Sequence, residues 1–317
     1  MKPIVAGVAG VAGTVLLAGT LFVGAAISDK ILGDAESKEA AEQTKIPTTA
    51  AAQSVVYAPP SIEEVPDGPM KEAILYGYEL VNNTHVAAEE YVGNQLSCTS
   101  CHAGAGYDEQ VSSLVGVMAD YPQYIARSGD IVTIEERING CMVRSMNGKK
   151  FDMNSKELEA MVSYFAYISE GVPIGAEREW VGTSTMKDIP IPDVKNGEEV
   201  YAQSCIACHA ADGSGNGANT GPALWGEKSF NDGAGMARMS KMAGYIKHNM
   251  PVGAAGTLTD QDAADLAAFI LSQDRPEWAN HNKDWPKGGR PNDIMNKEKR
   301  EQVKNNTIDW EKVLSTN

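Results

Sequence analysis

The sequence has no excess of positive charge and few aromatic residues, and both shortages restrict what the chain does. Its 317 residues include 27 Lys and Arg against 42 Asp and Glu, a net charge of −15. A chain this acidic repels a phosphate backbone, which argues against nucleic acid as a partner. Aromatic residues make up 7% of the chain, although the apolar fraction, 43%, is ordinary. The length suffices for two or three small domains, whose cores are not filled mainly by Phe and Trp.

Cysteine is also scarce, and four of the five cysteines fall into two CxxCH motifs, at residues 98–102 and 205–209. In this motif two thioethers join one edge of a haem, and the adjacent His faces the iron. A single zinc site with four cysteine ligands and a redox dithiol are the alternatives. The His after each pair, and the repetition inside similar helical segments, favour two covalently bound haems c, which also explain the shortage of aromatic residues. The predicted attachment residues are Cys98, Cys101, Cys205 and Cys208, and the predicted fifth iron ligands are His102 and His209.

Long apolar runs are missing except near the N-terminus, where residues 3–27 are almost entirely apolar. A secretory signal has an apolar core of about 7–15 residues, whereas a membrane span needs about 20. The run therefore favours an uncleaved anchor, with cleavage near residues 24–26 (GAA) as the alternative. Either interpretation leaves Lys2 inside and the rest outside the cytoplasm. It predicts a periplasmic protein, tethered to the inner membrane if the run is kept.

The remaining sequence predicts a mainly α fold with two cytochrome c-type haem domains in tandem. In each half a helix precedes the CxxCH motif and a loop with further helices follows, which indicates an internal duplication. Helices are predicted at residues 68–82, 121–126, within 133–146, after a cap at 154–157, at 236–249 and after a cap at 259–262. The expected divisions are a signal or anchor segment (1–33), a flexible tether (34–64), a first haem domain (65–172), a linker (173–194), a second haem domain (195–275) and a tail (276–317).

The tail contains Trp278, Trp285 and Trp310 in an otherwise polar sequence. We expect it to pack over both haem domains. Disorder of about the last ten residues is the alternative.

Each haem iron needs a sixth ligand in addition to its His. In the second domain Met250 is best placed, because it precedes Pro251 and follows the loop at residues 222–224 (PAL). A thioether ligand there would raise the reduction potential of the haem. The alternatives are Met236, Met239, Met242 and His248.

The fifth cysteine, Cys141, occupies the corresponding place in the first domain, with Met142, Met146 and His85 as alternatives. Residues 121–150 hold five Lys or Arg and three acidic residues, so this stretch carries +2 and the rest of the chain −17. Nearby arginines and iron both stabilise a thiolate, and a basic island in an acidic protein suggests a small anionic substrate. The alternatives are an inert, buried thiol and arginines that form ordinary surface ion pairs.

Residues 134–148 (IEERINGCMVRSMNG) resemble the signature of dihaem thiosulfate dehydrogenases, which also act as tetrathionate reductases. The resemblance extends over both haem domains, the segment 249–251 (NMP) and the tail segment 285–291 (WPKGGRP), but not over the anchor and tether. Some members of that family have Lys directly before the Met ligand, where this chain has Asn249. A change of ligand at the second haem is therefore not implied for this chain.

The resemblance also implies roles for particular residues. Cys141 would be the distal ligand of the first, active-site haem, and Met250 that of the second, electron-transfer haem. Arg127, Arg137 and Ser145 would hold the anionic substrate. The implied reaction is 2 thiosulfate ⇌ tetrathionate + 2 electrons, with a soluble or membrane-attached c-type cytochrome or a similar carrier as the external electron partner.

The chemistry of arginine agrees with this reaction, because two dianions repel each other strongly unless cations lie between or beside them. Guanidinium forks suit sulfonate oxygens as they suit carboxylate and phosphate. Two other functions remain open: a dihaem electron-transfer cytochrome without a substrate of its own, and a Cys-ligated haem subunit of a carrier-dependent sulfur-oxidising complex. A dihaem peroxidase is disfavoured, because nothing in the sequence resembles its motifs.

Overall fold

The computed structural model describes residues 55–182 and 185–315, so the predicted anchor and most of the predicted tether lie outside the described residues. None of the described helices is long and apolar enough to cross a membrane. Short 3-10 turns fill several connections. In chain order the main elements are α1 (Lys71–Asn82), α2 (Thr84–Ala87), β1 (Gln123–Ile125), β2 (Asp130–Val132), α3 (Ile134–Arg144), α4 (Lys156–Tyr167), α5 (Val194–Ser204), α6 (Ile206–His209), α7 (Met239–Asn249), α8 (Asp260–Ser272), α9 (Lys297–Lys304) and α10 (Trp310–Leu314).

Each haem module is built around one closely packed pair of helices, α1 with α4 in the first and α5 with α8 in the second. A glycine lies at each crossing. A Cβ added at Gly77 would come within 2.0 Å of Ala160 O, and one at Gly197 within 2.1 Å of Asp265 O. Because neither position has room for a side chain, both helix pairs approach backbone to backbone. The same packing device in both modules fits the duplication that the sequence indicates.

Side-chain caps determine where the later helices begin. Capping boxes start α3 at Thr133 and α8 at Thr259. Helix α4 is capped by Ser155, whose Oγ accepts a hydrogen bond from Leu158 N at 3.2 Å. It therefore begins one residue later than a cap at Asn154 would place it.

The helix predicted at residues 121–126 is wrong, because this stretch contains β1, which pairs antiparallel with β2 in a two-stranded hairpin. Ile125, a β-branched residue that favours extended backbone, pairs with Asp130. Gly129 has a φ of +68°, which suits the turn between the strands. The hairpin therefore places Arg127 in its connecting turn.

The C-terminal tail contacts both modules. In the second module the Asp232 carboxylate accepts hydrogen bonds from Trp278 N at 2.7 Å and from Arg300 Nη1 at 3.0 Å. In the first module the main-chain oxygen of Arg127 accepts one from Trp285 N at 2.8 Å. Helix α10 (Trp310–Leu314) lies within about the last ten residues, so the alternative prediction of disorder there does not hold for this helix.

Replacing Gly197 by Ala is expected to destabilise the second module, because the added methyl group overlaps the main chain of α8. We expect the free energy of unfolding of the holoprotein to fall by about 1–3 kcal/mol, as measured by denaturant unfolding. Gly235→Ala is the matched control, since no heavy atom lies within 4 Å of its added Cβ. Equal losses in the two variants would contradict the close crossing.

Candidate active site

Cys141 lies in α3, one helical turn after Arg137. Residues four apart share one face of a helix, and Arg137 Nη1 donates a hydrogen bond to Cys141 Sγ at 2.7 Å. The negative charge of the Cys141 sulfur holds the pKa of Arg137 well above its usual value, although burial of the guanidinium acts to lower it. The pair therefore places the Cys141 sulfur directly against a guanidinium.

The first CxxCH motif lies near this pair. As free thiols, Cys98 and Cys101 are half-buried, and their loss of water contact together with the charge of Cys141 raises their pKa values to about 11 and about 12. Burial also lowers the pKa of His102, and the charge of Arg137 adds to that effect. Charges influence one another in this way only over short distances. Helix α3 therefore brings Cys141 and Arg137 close to the residues that would bind the first haem.

Both motif histidines are arranged as iron ligands. The Nδ1 atom of His102 lies 2.6 Å from Ser112 O, and that of His209 lies 2.8 Å from Pro222 O. A carbonyl at this distance accepts the Nδ1 proton and leaves Nε2 as the free donor atom. Burial lowers the pKa of both imidazoles, which favours the neutral, metal-binding form. With the free cysteines of each motif, these residues fit two covalently bound haems c.

Met250 lies directly after α7, in extended backbone, with its N–H donated to Ile246 O at 3.0 Å. Its side chain is half-buried against the core. Among the alternatives, Met239 and Met242 are 0% and 3% exposed and pack into that core, whereas His248 is exposed. Met250 stays the predicted sixth ligand of the second haem.

The alternatives to Cys141 have structural roles of their own. Met142 and Met146 are 1% and 3% exposed and belong to the hydrophobic core. His85 Nδ1 lies 2.8 Å from Ser97 Oγ, next to the first motif. The prediction that Cys141 is the distal ligand therefore stands on its own position and on its arginine partner.

Arg127, in the hairpin turn, is held by two other parts of the molecule. Its Nη1 donates to Gly233 O in the second module at 2.6 Å, and its guanidinium lies over the ring of Trp285 in the tail, 4.4 Å from the centroid. Burial, together with the charges of Arg144, Arg238 and Arg137, lowers the pKa of Arg127 to about 10, although the charge of Asp284 acts to raise it. The guanidinium groups of these four arginines therefore lie near one another.

Two of these four arginines were not included in the predicted site. Arg144 Nη2 pairs with Asp284 Oδ1 at 2.7 Å, and Arg238 Nε pairs with Asp293 Oδ1 at 2.9 Å. Arg144 follows Cys141 by three residues and was visible as part of the basic island. Arg238 had no signal in the sequence, because it comes from the other module.

Ser145 caps the C-terminus of α3, one turn after Cys141, and its main-chain oxygen accepts a hydrogen bond from Asn94 Nδ2 at 2.8 Å. The two lysines of the basic island lie elsewhere. Lys149 is exposed and sits 3.8 Å from Glu90 Oε2, and Lys150 is exposed as well. These two lysines are ordinary surface residues, so only arginines form the basic site.

Comparisons with known proteins agree with this arrangement. A family model described as "SoxA/TsdA, cytochrome c domain" matches residues 88–174, and one described as "Cytochrome c" matches residues 194–274. The chain is 42% identical to a thiosulfate dehydrogenase of Psychrobacter arcticus over 74% of this chain and 73% of that protein. It is 40% identical to one of Allochromatium vinosum over 70% of this chain and 86% of that protein.

One solved structure is also similar, the thiosulfate dehydrogenase (TsdBA) from Marichromatium purpuratum. The TM-score is 0.66 at 32% identity, over 71% of this chain and 51% of that chain, so the match spans about half of the larger protein. Together with the two family models, this similarity confirms the predicted tandem cytochrome c fold and its two covalently bound haems. The domain limits and the individual ligands stay predictions.

Replacing Met250 by Ala is expected to change the visible spectrum of one haem and to lower its reduction potential, because a thioether ligand raises that potential. Spectroelectrochemical titration of the holoprotein resolves the two haems. Met242→Ala is the control, since Met242 is 3% exposed in the core. It should cost about 2–5 kcal/mol of stability and leave both spectra unchanged. Two unaltered haem spectra in Met250→Ala would assign the ligand to another residue.

Proposed function

This chain belongs to the thiosulfate dehydrogenase family, and we infer from that membership that it interconverts thiosulfate and tetrathionate, 2 thiosulfate ⇌ tetrathionate + 2 electrons. The observation that carries the inference is the 2.7 Å contact between Arg137 and Cys141 near the first CxxCH motif. A sulfur nucleophile beside a guanidinium suits a sulfur oxyanion. His102 with Cys141 would hold the active-site haem, and His209 with Met250 would hold the electron-transfer haem.

The arginine cluster addresses the main physical obstacle to the reaction. Two dianions about 5 Å apart repel each other by about 13 kcal/mol at an effective dielectric constant of about 20. One guanidinium about 4 Å from a dianion offsets about 8 kcal/mol of this on the same scale. Arg127 and Arg137 together therefore suffice to hold two thiosulfate ions, or one tetrathionate, in one site. Ser145 is positioned one turn beyond Cys141 on the same helix to donate a further hydrogen bond.

Cys141 acts as the nucleophile in the direction of tetrathionate reduction. Its thiolate attacks an inner sulfur of tetrathionate, the central S–S bond breaks, and one thiosulfate dianion leaves with a Cys–S–S–SO3⁻ adduct behind. The adjacent arginines stabilise the charge that develops on the leaving thiosulfate. Two electrons, which the bound haems would supply, cleave the S–S bond of the adduct, release the second thiosulfate and restore the Cys141 thiolate. Thiosulfate oxidation is the reverse.

The ligand sets order the electron flow. A thiolate ligand stabilises ferric iron, whereas a thioether ligand raises the potential. Cys141 and Met250 therefore favour transfer from the site toward the second module. Ile206, inside the second motif, is 40% exposed, and an exposed apolar side chain there suits a docking electron carrier.

We assign the carrier as a soluble or membrane-attached c-type cytochrome and the compartment as the periplasm. Covalent haem and the apolar run at residues 3–27 support that assignment. If that run is retained, it tethers the protein to the inner membrane.

An electron-transfer cytochrome without a substrate is the competing function. A cytochrome without a substrate would not require an arginine cluster beside the first CxxCH motif. Adding thiosulfate and then tetrathionate to the oxidised and reduced holoprotein separates the two. The enzyme is reduced by thiosulfate and reoxidised by tetrathionate, whereas a plain carrier responds to neither.

Replacing Cys141 by Ala is expected to abolish turnover, by a factor of about 10³ or more, because the nucleophile is removed. Steady-state assays in both directions measure the loss, and haem content by pyridine haemochrome analysis verifies that both haems are present. Met142→Leu, a nearly volume-conserving change at the next residue, is the control and should keep turnover within about threefold. Full turnover in a Cys141→Ala protein with both haems would exclude the covalent role.

A further inference from the structure

Arg127 differs from its neighbours in how its charge is balanced. Arg144 and Arg238 each contact a carboxylate, Asp284 and Asp293 respectively. Within residues 55–182 and 185–315, no carboxylate lies at ion-pair distance from Arg127, and its hydrogen bond goes to the neutral Gly233 O. The Asp284 carboxylate, which pairs with Arg144, acts on Arg127 only from beyond ion-pair distance. A half-buried guanidinium without a direct acidic partner is costly, which suits a site that receives an anion.

Trp285 contacts Arg127 in two ways. Its indole ring lies under the guanidinium with the charged carbon 4.4 Å from the ring centroid, and its main-chain N–H donates to Arg127 O at 2.8 Å. Trp285 also has a φ of +56°, a left-handed backbone conformation that a bulky residue rarely adopts. Such a conformation persists only where the surroundings impose it. The tail is therefore fixed in the position that brings the ring against Arg127.

Pro286, the next residue of the tail, packs against the hairpin turn that carries Arg127. A Cβ added at Gly129, in the hairpin turn, would come within 2.6 Å of Pro286 Cγ. The hairpin turn and the tail thus lie against each other without room for a side chain between them. Arg127 is held by its own backbone, by the aromatic face and by Gly233 O at once.

We propose that Trp285 is a positioning residue for Arg127, fixing its guanidinium to receive the sulfonate farther from Cys141. This proposal rests on the proposed function. A guanidinium carries its five N–H donors in one plane, so a ring stacked on its face leaves that donor edge unobstructed. Gly233 O occupies one donor, and the rest of the edge is oriented for sulfonate oxygens. The outer group of tetrathionate, or the second thiosulfate, is the ligand.

A positioning role affects binding more than the chemical step. The outer sulfonate is already charged in bound tetrathionate, and the new charge of the leaving thiosulfate develops mainly on its inner sulfur. Arg127 therefore binds substrate and transition state nearly alike, and its misplacement raises KM more than it lowers kcat. If Trp285 served only the stability of the fold, its replacement would lower haem content or stability and would not raise KM selectively over kcat.

The test is a double-mutant cycle on the holoprotein, with KM and kcat for tetrathionate reduction measured for Trp285→Ala, Arg127→Ala and the double variant. Trp285→Ala is expected to raise KM by about 3- to 30-fold, the range of a cation–π contact. In the Arg127→Ala background the same substitution should raise KM by less than about twofold, because Trp285 acts through Arg127. Trp285→Phe keeps an aromatic face and should stay within about threefold of the parent.

Trp310→Ala is the matched control, since Trp310 belongs to the same tail, in α10, 25 residues after Trp285; its KM should not change. If Trp285→Ala does not load both haems, Trp285→Leu replaces it, because Leu keeps apolar bulk without an aromatic face.

An unchanged KM in the Trp285 variant, or an equal increase in both backgrounds, overturns the positioning role. An unchanged KM in Arg127→Ala overturns both the positioning role of Trp285 and the substrate-binding role of Arg127. A raised KM in Arg127→Ala with none in Trp285→Ala rejects only the positioning role.

Discussion

The contact between Cys141 Sγ and Arg137 Nη1, 2.7 Å long, is the interaction on which the site depends. It is local in sequence, because both residues lie on one face of α3, and the capping box at Thr133 fixes where that helix begins. Arg137 is exposed and Cys141 is half-buried, so the contact lies at a surface that a substrate can reach. The contact therefore places the sulfur against a positive charge close to the first CxxCH motif, and nearby cations favour the thiolate, the better ligand and nucleophile.

Around this pair the protein assembles positive charge that its overall composition does not suggest. The chain carries −15, yet Arg127, Arg137, Arg144 and Arg238 share one region. Two separate segments contribute these arginines: the hairpin with α3 from the first module, and the start of α7 from the second. The tail also supplies both acidic partners and an aromatic ring, so it sets how much of the positive charge remains for a substrate. Neither module forms this site without the other.

Whether a contact could be predicted from the sequence depends on how far apart its two residues lie in the chain. The CxxCH motifs and the pairing of Arg137 with Cys141 involve residues at most four positions apart, so spacing alone exposes them. Arg127 entered through family resemblance, and its surroundings were misjudged: a helix was expected where the β1–β2 hairpin forms. The contacts of Arg238 and Trp285 join residues 55 and 158 positions away in the chain, and no periodic pattern records such pairs.

The central claim is that the Cys141 thiolate ligates the iron of the first haem while a methionine ligates the second. Low-temperature electron paramagnetic resonance of the oxidised holoprotein reports both ligand sets in one spectrum. The account predicts two low-spin ferric signals, one with the narrow spread of g values of imidazole–thiolate ligation and one of imidazole–thioether ligation. Two signals of His/Met or His/His type, with no thiolate signal, would contradict it and leave only an electron-transfer cytochrome.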